Sequence, residues 1–296
     1  MQNEKGPSGP TDPQPLSLTF RLSAPPLQPY LTSYYVLRAG TDGIDDWLPP
    51  EWSNARLVLS GQWAWGAGDD PPGPTPGCAL FGPTSRAART QAAPGASLIG
   101  IGLTPMGWAR LVGVSAETCT DRATDLADHW PEIAGLQAML AAMTDNDARV
   151  ALIEERLLAR LAQSAAGDPA WGRAFQCLMS GDISTVKAFA AGSGLHERTL
   201  ARKSATFFGF APKPLLRRQR FLRALDRMQR SNGKTLTELF GEEFTDQAHF
   251  VREFRAFMGM TPTAYRALPR AMMKVAAAER LRMVGRGLQG LHPPPA

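Results

Sequence analysis

Six arginines stand close together in the stretch "PKPLLRRQRFLRALDRMQR" (212–230): Arg217, Arg218, Arg220, Arg223, Arg227 and Arg230. A guanidinium is always charged and offers a planar fork of donors, so such a cluster suits the phosphates of a polyanion. Leu215, Leu222 and Leu225 run through the same stretch as an apolar stripe, with Phe221 and Met228 at its edge. That spacing predicts an amphipathic helix. About 16 helical residues span roughly 24 Å.

Other chemistry finds little footing. Cys78, Cys119 and Cys177 lie far apart and form no CxxC pair, which removes zinc-ribbon and thioredoxin-like sites. Their number and spacing fit a reducing cytoplasm, with the thiols acting as small apolar residues. The four histidines are His129, His196, His249 and His292. None falls in a strand predicted below, so no metal site and no cofactor are expected. There is no GxSxG elbow, no P-loop and no Cys beside a His, and the chain reads as a non-enzyme.

Charge separates along the chain. Residues 1–167 carry 11 Lys/Arg and 17 Asp/Glu, a balance of −6. Residues 168–296 carry 21 and 10, a balance of +11. The basic half is therefore the one expected to meet a polyanion. No apolar run approaches the roughly 18 residues of a membrane span, so no membrane partner is expected.

The elements that must position these charges divide in two. Residues 1–15 are polar and rich in Pro and Gly, and read as a disordered leader. Residues 16–163 begin with strands. Leu16, Leu18, Phe20 and Leu22 alternate on one face, residues 30–38 form a second strand, Leu57, Leu59, Trp63 and Trp65 share a face, and Ile99, Ile101 and Leu103 share another. Pro/Gly clusters separate them, as in a β-barrel or sandwich. Helices follow from about 121, with Val150, Ile153, Leu157 and Leu161 on one stripe. Residues 164–169 form a linker. Beyond it about seven short helices are expected to 268, then a fraying tail over 269–296.

Two segments of the basic half share one layout. In "STVKAFAAGSGLHERTLARKSATFFG" (184–209) and "TLTELFGEEFTDQAHFVREFRAFMG" (235–259), a short helix, a turn and a longer helix end at Gly209 and Gly259. Each is a helix-turn-helix by composition, with Leu200 and Phe207 inward in the first and Phe250, Phe254 and Phe257 in the second. Thr245 is the expected N-cap of the last helix, Asp246 complements its dipole and Gly259 ends it. The arginine-rich helix between them could hold two readers about one turn of B-DNA apart, roughly 34 Å.

"FTDQAHFVREFRAFMGMTPTAYR" resembles the C-terminal signature of the AraC/XylS family of bacterial transcription regulators. "LHERTLARKSATFFGFAPKPLLRRQRFLRAL" is similar to that family's first recognition helix and linker helix. The resemblance covers about residues 170–268 and implies an all-α DNA-binding domain with two helix-turn-helix units. "FGPTSRAARTQ" and "GIGLTPMGWARLVG" more weakly resemble the cupin-like sensor domains fused to such modules, so the whole is expected to be an α+β multidomain regulator. Two positions depart from the family. His196 stands where Ser usually caps the first reader, and Glu243 stands where Gly usually precedes the Phe matching Phe244; Gly241 is the substitute for that bend.

The resemblance implies that Arg198, Ala201 and Arg202 of the first unit, and Gln247, Ala248, His249 and Arg252 of the second, enter the major groove of double-stranded DNA. Arginine can chelate guanine and Gln can pair with adenine, whereas alanine only touches a thymine methyl. Lys203, Arg217 and Arg218 are then phosphate anchors. The expected function is sequence-specific transcription regulation, ending in contact with or exclusion of RNA polymerase. A small-molecule effector or a homodimer contact is expected in the N-terminal domain.

Blander roles stay open. The arginines could be solvated charges, and His249 could pack within its own unit. Trp47, Trp52, Trp63, Trp65, Trp108 and Trp130 could line an effector pocket or simply fill the core. Helix 148–162 could carry a dimer contact or cover its own barrel. The alternative function is an enzyme, such as a DNA-repair protein or small β-barrel catalyst with a DNA-targeting tail, and it needs an activated cysteine at Cys78 or Cys119.

Overall fold

The computed structural model describes residues 15–133, 135–231, 244 and 246–293. Residues 1–14 of the expected leader (1–15), the first helix and turn of the second unit (232–243, with Gly241 and Glu243) and Thr245 lie outside these residues.

Strands β1 (Ser17–Arg21), β2 (Leu31–Arg38), β4 (Asn54–Ser60), β7 (Cys78–Phe81), β9 (Ser97–Leu103) and β10 (Ala123–Asp125) form an antiparallel sheet in the order β1-β2-β9-β4-β7-β10. A second sheet, ordered β3-β8-β5-β6, contains β3 (Ile44–Leu48), β5 (Trp63–Ala67), β6 (Gly73–Pro74) and β8 (Ala88–Ala92). The period-two pattern of β9 sends Ile99, Ile101 and Leu103 to one face of the larger sheet and Leu98 to the other. The first face is covered by α3 (Leu136–Ala142) and α4 (Asn146–Gln163), with Trp108 and Trp130 wedged between. The second face packs on the smaller sheet, so the domain is a β-sandwich with one helical cover.

Two strand expectations change. Leu18 and Phe20 are buried, but Leu22 lies past the end of β1 and is 53% exposed. Leu57 and Trp63/Trp65 do not share a face: the chain turns at Ser60–Gln62 and enters the other sheet, so Leu57 joins the helix-covered core and the tryptophans join the inter-sheet core. Val150, Ile153 and Leu157 of α4 pack on the chain's own sheet, which occupies the stripe weighed as a dimer face.

The short helices α1 (Pro105–Gly107) and α2 (Ala116–Cys119) lead from the sandwich toward the helical half. That half contains α5 (Pro169–Ser180), α6 (Val186–Ser193), α7 (Glu197–Phe208), α8 (Pro212–Arg230), α9 (Gln247–Met258) and α10 (Pro262–Ala267). The described part of the segment expected to fray, up to residue 293, is packed. Residues 271–284 form α11 (Ala271–Val284), and Met272, Met273 and Ala276 fill the inter-sheet core. Asp46 holds the helix start by accepting from Met273 N–H at 3.0 Å. Beyond α11, Gln289 accepts from Trp52 N–H at 2.6 Å and donates to Ser53 O at 3.3 Å. Burial of Met272, Met273, Ala276, Leu288 and Leu291, together with the Asp46 and Gln289 hydrogen bonds, is what opposes the entropy of ordering the tail.

Burial, with Arg280 beside it, pulls the His292 imidazole down to about 4. A base that stays neutral when folded and protonates when unfolded makes stability fall as pH drops from about 6.5 towards about 4. His292→Gln should flatten that fall by about 2–3 kcal/mol. Urea unfolding of both proteins at pH 7 and pH 4.5 checks it, and parallel losses would contradict it.

Candidate nucleic-acid interface

The first unit is α6, a tight turn and α7. Thr185 caps α6 by accepting from Ala188 N–H at 3.1 Å, and the helix ends on Gly194 in the left-handed conformation. After a turn of three residues, 194–196, α7 starts at His196, whose Nδ1 faces Arg198 N–H at a long 3.4 Å. Phe189, Ala190, Leu200 and Phe208 lock the two helices together in a core shared with Trp171 and Phe175 of α5. Phe207 is half-buried and stacks on Trp171 at 5.0 Å. Arg198, Ala201, Arg202 and Lys203 are all exposed, and the spacing of 198, 201 and 202 puts those three on one face.

The second reader is α9. Its N-cap is Asp246, not Thr245: the Asp246 carboxylate accepts from His249 N–H at 2.7 Å. A carboxylate satisfies an orphan N–H and also opposes the positive helix end, so it serves both roles that had been divided between two residues. Phe250, Phe254 and Phe257 face inward, and Phe257 stacks on Phe221 of α8 at 4.6 Å. Gln247, Ala248 and Arg252 are exposed. His249 is half-buried, with its ring edge-on to Phe244 at 5.4 Å.

Between the readers, α8 is buried along most of its length. Phe221 and Met228, placed at the edge of its stripe, are in the core at 0% and 4% exposure. The largest correction is Arg218, which is 1% exposed and cannot reach a phosphate in this arrangement. Its Nε donates to Thr84 O at 3.0 Å, and its guanidinium lies 4.6 Å over Trp52 and 5.4 Å over Phe210. Desolvation pulls this group down to about 9, against the opposing charges of Asp121 and Glu51. The sequence carried a signal for this. Residue 218 lies three after Leu215 and four before Leu222, on the leucine face itself.

Arg217 remains on the outer side. It makes a bidentate pair with Glu253 of α9 at 2.7 Å for both bonds, which raises the guanidinium. Burial pushes the Glu253 carboxyl up, and the Arg217 bonds and charge outweigh it, leaving it below the usual range. With Lys213, Arg220 and Arg223 it lines a groove of about 560 Å³ against residues 181–186. Arg220 and Arg223 belong to the arginine cluster of the sequence and Lys213 was not singled out there; the groove is made by packing α8 against the start of α6.

The cysteines are free thiols. Desolvation raises Cys78, with Asp125 adding to it, and raises Cys177, with Asp182 adding to it. Such thiols are held protonated, which is the opposite of nucleophile activation. Among the described residues there is no group of three or more metal-ligating side chains and no helix long and apolar enough to cross a membrane.

Residues 189–268 match a family model described as a helix-turn-helix domain, a span that includes both α7 and α9. Fold and match together define the class: a β-sandwich joined to a helix-turn-helix DNA-binding domain. The matched segment is a helix-turn-helix domain, the layout that the resemblance to AraC/XylS regulators implied for this part of the chain. Comparison with curated protein sequences gives no match. Among solved structures, ToxT from Vibrio cholerae aligns over 85% of this chain and 98% of its own, at 8% identity and TM-score 0.43. ToxT from strain SCE256 with bound unsaturated fatty acid aligns over 86% and 95%, at 9% identity and TM-score 0.43. The AraC-like transcriptional activator CuxR aligns over 71% and 86%, at 16% identity and TM-score 0.28. Likeness at this level carries no residue-by-residue correspondence.

Proposed function

We propose that α7 and α9 are two major-groove readers carried by α8, and that the protein regulates transcription by binding a bipartite operator. The observation that carries this reading is the exposed polar face on each of two capped helices, both packed on one rod. In it, Arg198, Arg202, Gln247 and Arg252 read base edges, and Ala201 and Ala248 add only methyl contacts. Lys203, Arg217 and the groove cations Lys213, Arg220 and Arg223 hold phosphates. His249, tied to Phe244, orients α9 as much as it contacts DNA. Bound protein then contacts or excludes RNA polymerase; transcript yield in vitro that is indifferent to the operator would count against that step.

Arg252→Ala should cost about 1–3 kcal/mol and relax preference at one base position. Arg217→Ala should weaken binding to all sequences alike, because a phosphate anchor carries no base information and Glu253 loses its partner. Binding to a panel of operators, each altered at one position, distinguishes the two. Identical profiles for both variants would overturn the division of roles.

The effector component centres on the inter-sheet core. A cavity of about 30 Å³ there is lined by Phe20, Tyr35, Trp63 and Met273, with Glu51, Arg56 and Arg280 at its polar end. Of the six tryptophans of the N-terminal half, Trp63 alone lines it. Glu51 lies between the two guanidiniums, 3.5 Å from Arg56 and 3.7 Å from Arg280, and Arg280 Nη1 has no hydrogen-bond partner among the described residues. One excess buried positive charge in apolar walls favours a compact anion with an apolar body. Formate and acetate, the carboxylates small enough for a space of about two waters, should raise the melting temperature of the wild type and not of Arg280→Met. Equal shifts in both would remove this site.

A further inference from the structure

One corner of the sandwich touches the ends of both readers and the rod between them. It is built from residues 82–87, between β7 and β8, and 119–122, from the last residue of α2 up to β10. Asp121 ties the two segments: its carboxylate accepts from Ser85 N–H at 2.7 Å and from Ser85 Oγ at 2.6 Å, and its own N–H donates to Pro83 O at 3.1 Å. Asp121 does so at φ 58, a left-handed backbone that few side chains accept.

From this corner three bonds run to three helices. Thr120 Oγ1 shares its proton between Ala116 O and Gly209 O, each at 3.1 Å, and Gly209 lies just past the end of α7. Ala87 N–H donates to Phe257 O in the last turn of α9 at 2.7 Å. Thr84 O accepts from Arg218 Nε of α8 at 3.0 Å. Last-turn carbonyls of a helix have no partner within it, so an outside donor also fixes where the helix ends in space. The contact with α7 is close: a Cβ at Gly209 would come within 2.5 Å of Pro83 and 2.7 Å of Thr120 Oγ1.

We propose that this corner is a brace that sets the distance and phase between α7 and α9, making Thr84, Ala87, Thr120 and Asp121 positioning residues for half-site spacing. The inference rests on the two-reader function proposed above. α8 by itself joins the readers only through side chains, by apolar packing on both and by the Arg217–Glu253 pair to α9, and side chains can follow small rotations. The corner adds backbone-directed bonds at both far ends, and rotating either reader about α8 breaks at least one of them. An inserted base pair turns one half-site by about 35° relative to the other, so a braced pair should reject it.

The test uses the full chain and duplexes selected from fragmented genomic DNA by the wild type. Selected sites are compared with versions carrying one inserted base pair between half-sites, and with each half-site alone. Gly and Asn both accept a positive φ, but only Asn keeps an acceptor for Ser85. The wild type and Asp121→Asn should lose about tenfold or more in affinity on insertion, and Asp121→Gly less than about threefold, with half-site affinities unchanged. Thr120→Val, which removes the donor to Gly209 O, should show the same relaxation in part and serves if Asp121→Gly does not fold. A wild-type spacing penalty retained by every folded variant would overturn the brace. Failure of the wild type to select any bipartite site would instead remove the two-reader reading on which it rests.

Discussion

Operator binding is expected to weaken by roughly 10²–10³-fold between 50 and 200 mM salt, since each neutralised phosphate contributes a slope of about −0.9 and about five cations are placed to do this. Those five are Lys203, Lys213, Arg217, Arg220 and Arg223; Lys203 is exposed on α7 and the other four line the groove beside α6. Arg220→Ala should reduce the slope by about one contact. Arg218→Ala should leave it unchanged, because that guanidinium sits under Trp52 and away from any duplex. A log–log titration with the three proteins decides the matter. Flat wild-type affinity would remove the electrostatic model, and a reduced slope for Arg218→Ala would return that residue to the phosphate contacts.

The second large effect concerns stability. Among the described residues Arg218 has one hydrogen bond, to Thr84 O, and both of its Nη atoms are buried without a partner. Its stacking on Trp52 and Phe210 contributes about 0.5–2 kcal/mol. Against this stands the cost of a desolvated charge. A group whose pKa is lowered on folding binds its proton less tightly in the folded chain, so its charge opposes folding at every pH below about 9. Arg218→Met, which keeps much of the volume and removes the charge, should be neutral or stabilising by about 1–4 kcal/mol. Arg218→Ala should be less stable than Arg218→Met by about 2–5 kcal/mol, because it leaves a cavity among Trp52, Phe210 and Leu222. Denaturant unfolding at pH 7 measures both. Loss of several kcal/mol in Arg218→Met would show that the interface depends on the charge itself.

Why an arginine stands there is a question of position. In the order of the chain it is one of six similar charges, yet its period places it with Leu215 and Leu222 rather than with Arg217 and Arg220. Following the leucine period through residue 218 would have separated it from the anchors. Nothing local would have named its partners, since Thr84 is 134 positions away.

The sequence by itself determined the elements whose information is local. Caps and left-handed glycines mark where α6, α7 and α9 begin and end, and the aromatic spacing 250, 254, 257 dictates which side of α9 is hidden and which polar residues remain outside. Alternation likewise divided β9 between two cores. Only the tertiary structure decided what depends on distant partners. Trp63 and Trp65 cross into a second sheet, the C-terminal segment packs to seal the sandwich beside Asp46, and Thr84, Ala87 and Thr120 bond to residues of or beside α8, α9 and α7 more than 80 positions further on. Periodicity reports which face of an element is apolar, because that follows from the geometry of one helix or strand. It does not report which other face comes to cover it, because that is settled by burial and hydrogen-bond satisfaction over the whole chain at once.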